Sequence, residues 1–281
     1  MITEDISNSW VIDQGYFRNE NLRRRIESSK NDEYFIVTED ALIEMFKSKE
    51  WSNVSRLSLS IISDFKEKIL VTNPIGLIRE KEIETKKAYH NFVDPVSTNL
   101  FGNLLDDIKK GMVGRISKEF QQNIFRTQLY KSKKVLDHEK NKRLYLQIVS
   151  QFQEQMGLTL RNDLRKNHVK IEDIYQLILE GVEECFRYPK GEFNRMNENE
   201  LECFISSKPI HYFLYATLLY EAFYWQQKLG LSQMNSKKIT NYILDTNYVI
   251  ISIYSKGILS EDGFVNELFH HLKVIEKTRF G

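Results

Sequence analysis

Two acids of this chain stand just behind short apolar runs, where they could meet a ligand. Residues 10–12 (Trp-Val-Ile) lead directly into Asp13, and residues 257–259 (Gly-Ile-Leu) lead within three residues to Asp262. Each run has the length and composition of a buried strand. Because ligands of parallel α/β sheets collect beyond the carboxyl ends of the strands, both acids are well placed for such a crevice.

Two further acids can join them from helices. Glu44 lies one turn into the helix expected after the second strand, and Asp245 lies near the start of the helix expected before the last acidic strand. At about 4 Å and an effective dielectric near 20, each like-charged pair costs about 4 kcal/mol. Four carboxylates in one crevice therefore need bound divalent cations or protonation.

Oxygen-only ligands of this kind favour magnesium or manganese. One or two such ions can deprotonate a water, orient a phosphodiester and stabilise the leaving oxygen. The four acids thus predict in-line phosphoryl chemistry with Mg²⁺ or Mn²⁺ as the cofactor. No Ser, Cys or His nucleophile is then required.

The elements that must position these acids follow from the hydrophobic pattern. From residue 9 to about residue 81, short apolar runs alternate with helical patterns, as in βα units with a parallel sheet. Strands are predicted at 10–13, 34–37 and 69–72, and helices at about 19–28, 39–47 and 57–65. Thr38 is the expected N-cap of the second of these helices.

The middle of the chain has a helical pattern throughout. Apolar side chains step along one face by threes and fours from about Val96, which predicts a long helix that bends at Gly111 or Gly114. Its apolar positions are Leu100, Phe101, Leu104, Leu105, Ile108, Met112, Ile116, Phe120 and Ile124. Further helices are predicted near 139–156, 171–187 and 209–229, and the aromatic residues between 212 and 225 are expected to be core.

The βα pattern returns near residue 239. A helical stretch is predicted from about 241 to 253, followed by a strand at 257–262 that ends in acids. A helix at about 264–271 and a short final strand at 273–275 complete the prediction. The whole is an α/β fold that is helix-rich because of its all-α middle.

In order and chemistry, the acids resemble those of the PIN-like nuclease family. The resemblance is carried by Val11-Ile12-Asp13, by Phe35-Ile36-Val37-Thr38 with Glu44 on the following helix, by Asp245, and by Ile258-Leu259-Ser260-Glu261-Asp262. It implies a three-layer α/β/α sandwich around a central parallel sheet. It also implies that Asp13, Glu44, Asp245 and Asp262 are the catalytic, metal-binding quartet.

Three other residues compete for, or add to, that quartet. Glu39 and Asp40 are alternatives to Glu44, which is preferred because it lies deeper on the helix, where family members place it. Asn241 lies four residues before Asp245 and is an accessory candidate if the helix has already begun there. Glu261 is expected to be exposed.

The resemblance covers roughly residues 8–80 and 238–281, under half of the chain. Residues 1–95 and 231–281 are predicted to form the PIN-like nuclease domain. Residues 96–230 are predicted to be a helical insertion packed on it. A usual PIN domain is compact, whereas here more than a hundred residues separate the first two acids from the last two. This departure bears on the substrate more than on the metal site.

Composition limits the choice of partners. The chain has 40 Lys+Arg against 39 Asp+Glu, a net charge of +1, so general coating of nucleic acid is not expected. Basic stretches at 23–25, 131–143 and 161–170 could contact phosphates, but solvated helix faces are the favoured interpretation. Tyr130 and Tyr145 flank the middle stretch, an arrangement suited to single-stranded RNA.

Two further features bear on location. The two cysteines form no disulfide or zinc pattern and favour a reducing compartment, here taken as the cytoplasm. The N-terminus lacks the order of a signal peptide, and the apolar stretch at 209–225 is too short for a membrane span, so no membrane association is predicted.

The function predicted from these residues is a metal-dependent endoribonuclease that hydrolyses RNA phosphodiester bonds. The resemblance also implies a role as a bacterial toxin or defence effector, with a protein inhibitor or regulator and a homo-oligomer as further expected partners. Two alternatives stay open. They are a catalytically inactive PIN-like scaffold for protein interactions and a structure-specific DNA nuclease.

Overall fold

The computed structural model of the chain describes residues 5–46, 51–111, 137–188, 191–228 and 231–281. Within these residues the fold is a helix-rich α/β arrangement around a four-stranded parallel sheet. The strands are β1 (Ser9–Ile12), β2 (Tyr34–Val37), β3 (Ile69–Val71) and β4 (Gly257–Leu259). All four follow the apolar runs of the sequence, which confirms the predicted strands and the α/β class.

The described part of the chain is otherwise mostly helical. They are α1 (Glu20–Glu27), α2 (Glu39–Phe46), α3 (Trp51–Leu59), α4 (Ile75–Thr85), α5 (Pro95–Lys109), α6 (His138–Gln155), α7 (Gly157–Arg165), α8 (Ile171–Arg187), α9 (Glu198–Ser206), α10 (Ile210–Lys228), α11 (Ser236–Ser252) and α12 (Gly263–Phe280). Short 3-10 helices span Gln14–Arg18, Ile62–Lys68 and Leu231–Gln233.

The sheet has the strand order β3-β2-β1-β4. Val11 pairs with Ile36 of β2 on one side and with Ile258 of β4 on the other, so β1 is central. The chain moves outward from β1 to β2 and β3, and then returns to the opposite side of β1 with β4. Strand order therefore reverses between β1 and β4, which is where a parallel α/β sheet opens a crevice for ligands.

The described residues fall into two compact units. The first takes its residues from Met1–Ile78, His90–Lys134 and Leu244–Phe269, and it contains the whole sheet. Its core includes Val11, Ile12, Phe35 and Ile36, which are fully buried. Strands that are buried on both faces have near-continuous apolar sequences, as these two have.

The second unit takes its residues from Arg79–Tyr89, Val135–Ile243 and His270–Gly281 and is helical in the part of it that the structure describes. In it, α10 packs against α6, α7 and α8. Tyr212, Phe213, Phe186 and Phe193 are fully buried there, which confirms that the aromatic stretch near 212–225 contributes core.

Local sequence signals explain the helix starts next to the sheet. Asn19 caps α1 by accepting a hydrogen bond from the amide of Asn21 (2.8 Å). The Thr38 hydroxyl accepts one from the amide of Ala41 (3.3 Å), as expected of an N-cap. Thr38 directly follows β2, so the turn into α2 is short, whereas the 3-10 helix Gln14–Arg18 lies between β1 and the cap at Asn19.

Three sequence predictions of local structure were wrong. The helix expected at 57–65 lies earlier, as α3, and a 3-10 helix follows it at Ile62–Lys68. The helix expected from 241 begins at Ser236, so Asp245 lies in the middle of α11 and not near its start. The final strand expected at 273–275 is absent from the described residues because α12 continues through this stretch to Phe280.

The physical reason for the last error is burial at helical spacing. Leu268, Leu272 and Ile275 are fully buried and recur at intervals of four and three residues. This periodicity outweighs the strand preference of the short Val274-Ile275 run, since β propensity depends strongly on context.

The long central helix is described only in part. Its first segment, α5, ends at Lys109, and Gly111 has a left-handed φ of +70°, which suits the turn after a helix. Met112, Gly114, Ile116, Phe120 and Ile124 lie outside the described residues. Among the helices that the structure does describe, none is long and apolar enough to cross a membrane.

Candidate active site

The carboxyl edge of the sheet gathers acids at the point where strand order reverses. Asp13 directly follows β1, and its amide still donates to the carbonyl of Leu259 in β4 (3.0 Å), which continues the ladder between the two strands. Asp262 lies three residues after the end of β4. The two strand-end acids of the sequence analysis therefore share one edge, on neighbouring strands.

The carboxyl group of Asp13 is 8% exposed and is held by its neighbours. Its Oδ2 accepts a hydrogen bond from the hydroxyl of Ser260 (2.5 Å), and its Oδ1 accepts a longer one from the amide of Gly15 (3.4 Å). Burial raises the pKa of Asp13, the hydrogen bonds from Ser260 and Gly15 oppose that rise, and the charge of Asp262 adds to it.

Ser260 was not singled out as a site residue from the sequence, although it connects the two strand ends. Besides donating to Asp13, its hydroxyl accepts a hydrogen bond from the amide of Asp262 (3.0 Å). The signal available in the sequence was its position, directly after β4 and two residues before an acid. Ser260 thus orients the Asp13 carboxyl group and fixes the turn that carries Asp262.

Asp262 is exposed, and its side chain caps the N-terminus of α12. Its Oδ1 accepts from the amides of Phe264 (2.7 Å) and Val265 (3.3 Å). This is the ordinary role of an acid at a helix start. Glu261 beside it is exposed, as expected, and accepts a hydrogen bond from the side chain of Asn19.

Asp245 is the acid whose pKa is affected by all three of the others. It is part-buried on α11, and burial raises its pKa to about 8, with further contributions from the charges of Glu44, Asp13 and Asp262. All the charges that shift it are negative. Each of the other three acids of the predicted quartet therefore raises the pKa of Asp245, although the four come from separate segments of the chain.

Two links connect α11 with α2 beside Asp245. The hydroxyl of Tyr248 donates to Oε2 of Glu44 (2.8 Å), and the side chain of Asn247 is hydrogen-bonded to the buried carboxyl group of Asp40. Burial raises the pKa of Asp40 to about 7; the bond from Asn247 lowers it and the charge of Glu44 raises it. Asp40 is therefore a further acid of the candidate site next to Glu44 and does not replace it.

The remaining candidates are placed as follows. Glu39 lies in the first turn of α2 and is part-buried. Asn241 lies one turn before Asp245 on α11, where the helix has indeed begun, but it belongs to the second unit.

The acids at this edge offer only oxygen donors to a ligand. Carboxylate oxygens are the ligands that Mg²⁺ and Mn²⁺ prefer, and no Lys, Arg or His pairs with Asp13, Asp245 or Asp262 among the described residues. In charge and donor type the acids fit such an ion. In spacing, the described residues hold no group of three or more His, Cys, Asp or Glu side chains that could hold a metal ion.

The basic stretches are less suited to nucleic acid than their charge indicates. Arg23 is paired with Asp64 (2.8 Å) and Arg25 with Glu33 (2.6 Å). Tyr145, expected to stack on bases, is 5% exposed, and its hydroxyl donates to Glu221 (2.8 Å). Its ring is therefore part of the core of the helical unit. Tyr130, Lys131, Lys133 and Lys134 lie outside the described residues.

No family model matches this chain, and no curated protein or solved structure matches it either. The resemblance of its acids to those of PIN-like nucleases stays a prediction.

Proposed function

We propose that this protein is a metal-dependent endoribonuclease of PIN-like type, with a three-layer α/β/α sandwich as its catalytic domain. The observation that carries the proposal is that Asp13 and Asp262 follow the neighbouring strands β1 and β4 at the edge where strand order reverses. The rise in the pKa of Asp245 to about 8, caused by burial and by the charges of Glu44, Asp13 and Asp262, supports it. Carboxyl groups with strongly perturbed pKa values in one place are typical of functional sites.

Each acid has a distinct part in the proposal. Asp13 and Asp262 lie on neighbouring strand ends, and Ser260 keeps the carboxyl group of Asp13 in place through its hydroxyl. The charges of Glu44 on α2, Asp13 and Asp262 all raise the pKa of Asp245 on α11. A bound Mg²⁺ or Mn²⁺ ion would supply an activated water and neutralise charge on the phosphodiester.

The proposal is tested by measuring Mn²⁺ binding and RNA cleavage with Asp262→Asn. Asparagine keeps the helix cap while it removes the negative charge, so loss of function cannot be attributed to an unravelled α12. We expect wild-type protein to cleave RNA in the presence of Mn²⁺ and the variant to lose at least about a hundredfold in rate. A panel of single-stranded and structured RNA and DNA substrates defines the substrate.

A matched control is available in the same unit. Asp94 caps α5 through hydrogen bonds to the amides of Val96 (3.0 Å) and Ser97 (3.1 Å), in the same way as Asp262 caps α12. Asp94→Asn should leave cleavage and Mn²⁺ binding unchanged. Unchanged cleavage by Asp262→Asn would remove the quartet from the mechanism, and cleavage of DNA alone would favour the structure-specific DNA nuclease.

A second candidate is a catalytically inactive PIN-like scaffold. It is favoured by the local bonds that already occupy Asp13 and Asp262, and by the lack of a compact ligand group among the described residues. Calorimetry distinguishes the two candidates before any substrate is known. The nuclease should bind Mn²⁺ with a heat that Asp262→Asn abolishes, and the scaffold should show no such heat.

A further inference from the structure

The first turns of α6 and α11 meet in the helical unit at one buried threonine. Nδ1 of His138 lies 2.9 Å from Oγ1 of Thr240, and the side-chain amide of Asn141 donates to the same oxygen (3.3 Å). Thr240 is 1% exposed, and its hydroxyl donates to the carbonyl of Ser236 (3.1 Å). The starts of the two helices are therefore held together by polar contacts.

Cations lie on both helix starts, within about 8 Å of this contact along each helix axis. They form the basic surface of the helical unit, which consists of Lys140, Lys142, Arg143, Lys237 and Lys238. Lys142 is part-buried and the other four are exposed. The acids within residues 137–143 and 236–241 are Asp137 and Glu139, and Asp137 is occupied as the N-cap of α6, accepting from the amide of Lys140 (3.1 Å).

The charge of the basic surface is not compensated in the way that other cations of the chain are. Among the residues that the structure describes, none of its five side chains has a carboxylate partner. By contrast, Arg23 pairs with Asp64 (2.8 Å), and Arg165 lies in the last turn of α7, where the helix dipole favours a cation. Lys237 and Lys238 have the reverse placement, in the first turn of α11, which contains no acid.

Such a surface is suited to a polyanion. Charges that are unfavourable for the local structure are retained mainly where they serve a function. Lys and Arg contacts to phosphates position a nucleic acid without reading its sequence. The aromatic residues that follow on the two helices, Tyr145 and Tyr242, are buried with their ring centroids 6.0 Å apart, so they do not offer a surface for base stacking. The chemistry therefore fits the phosphate backbone.

We propose that the basic surface binds the phosphate backbone of RNA without selecting its sequence. This inference rests on the proposed function, which makes RNA the polyanion that the protein meets. It assigns substrate binding to the helical unit, in addition to the acids of the sheet. The net charge of +1 for the whole chain does not oppose this, because such binding depends on local cations.

The test is the affinity for a fluorescein-labelled single-stranded RNA in EDTA, measured by fluorescence anisotropy at increasing KCl concentrations. EDTA prevents metal-dependent cleavage, so binding is measured apart from catalysis. Each phosphate contact adds about 0.7 to the slope of log K against log salt. We therefore expect Lys237→Gln/Lys238→Gln to lower this slope by about 1.4, and to weaken binding about tenfold in about 0.1 M salt. Lys140→Gln/Arg143→Gln should have a similar effect from α6.

The matched control is Arg187→Gln/Lys273→Gln, which removes the same charge from the same unit. Arg187 pairs with Glu183 (3.1 Å) and Lys273 with Glu276 (3.0 Å), so neither belongs to the basic surface. We expect the control to bind RNA with the wild-type slope and nearly the wild-type affinity. Urea unfolding establishes that each variant is folded before it is titrated.

Failure of this proposal and failure of the proposed function give different results. Unchanged binding in both variants of the basic surface, or an equal loss in the control, overturns the basic surface and leaves the proposed function standing. Tighter binding of a single-stranded DNA of the same sequence overturns RNA as the partner. RNA that is bound through the basic surface in EDTA but is not cut with Mn²⁺ overturns the proposed function alone. Where RNA is cut, both variants should raise KM more than they lower kcat.

Discussion

At the amino edge of the sheet Glu33 is surrounded by donors, whereas at the carboxyl edge Asp245 is surrounded by acids. Glu33 precedes β2 and is 4% exposed, and its Oε1 accepts from Trp10 (2.7 Å), Arg25 (2.6 Å) and Lys256 (3.1 Å). Burial alone would raise its pKa, but the bonds from Arg25, Trp10 and Lys256 lower it to about 2. Asp245 has a pKa of about 8.

The pKa values at the two edges differ because the carboxyl groups have different partners. Glu33 connects β1, α1 and the start of β4 through three side chains, so its charge is compensated inside the fold and contributes to stability. At the other edge, Asp13, Asp245 and Asp262 have no Lys, Arg or His partner among the described residues. Uncompensated charge costs stability, and proteins tolerate that cost mainly where a ligand is to be bound.

The largest effect should come from breaking the amino edge. Glu33→Gln leaves Arg25 and Lys256 without their buried carboxylate, so we expect the free energy of unfolding to fall by about 3 kcal/mol at pH 7. Urea denaturation at fixed temperature measures this. The contribution of a lowered pKa is present above about pH 4.5 and is lost as the pH falls through about 2. The difference from wild type should therefore shrink in acid.

The second largest effect should have the opposite sign. Because the pKa of Asp245 is raised, the folded state binds a proton that the unfolded state releases, and stability falls as the pH rises from about 4 to about 8. Asp245→Asn removes the ionisable group. We expect it to raise the free energy of unfolding by about 2 kcal/mol at pH 8, after allowance for solvent access, and to change it little at pH 4.

Denaturation curves of wild type and Asp245→Asn at both pH values check this expectation. The control is Glu33→Gln, whose effect on stability should be larger at pH 8 than in acid and of the opposite sign. A destabilised Asp245→Asn at pH 8 would mean that the carboxylate is compensated in the folded protein. The contrast between the two edges would then be lost.

Much of the fold could be predicted from the sequence, because the deciding signals were local. The apolar runs at the four strands and the cap at Thr38 determine the strands and the start of α2 without reference to distant residues. The end of the chain was predicted wrongly because the continuity of α12 depends on the burial of Leu272 and Ile275 in the folded protein. Local strand preference carries no information about that burial.

The residues of the candidate site could be predicted only where their position in the sequence indicated them. Strand ends identify Asp13 and Asp262, and the resemblance to a family's order of acids adds Glu44 and Asp245. Tyr248 could not be found in this way, since it meets Glu44 across 204 residues of sequence. The burial of Asp40 likewise depends on the packing of α2 and α11, which no single segment encodes.

The smallest effect should be found at Asp262, which belongs to the carboxyl edge but also caps a helix. Asp262→Ala should lower the free energy of unfolding by about 1 kcal/mol, because the amides of Phe264 and Val265 lose their acceptor. Asp262→Asn keeps that acceptor and should change stability by less than about 0.5 kcal/mol. Thermal unfolding of the two variants side by side measures the difference. Equal losses in both would show that the charge itself stabilises the fold, as at Glu33, and the two edges would then differ less than their pKa values indicate.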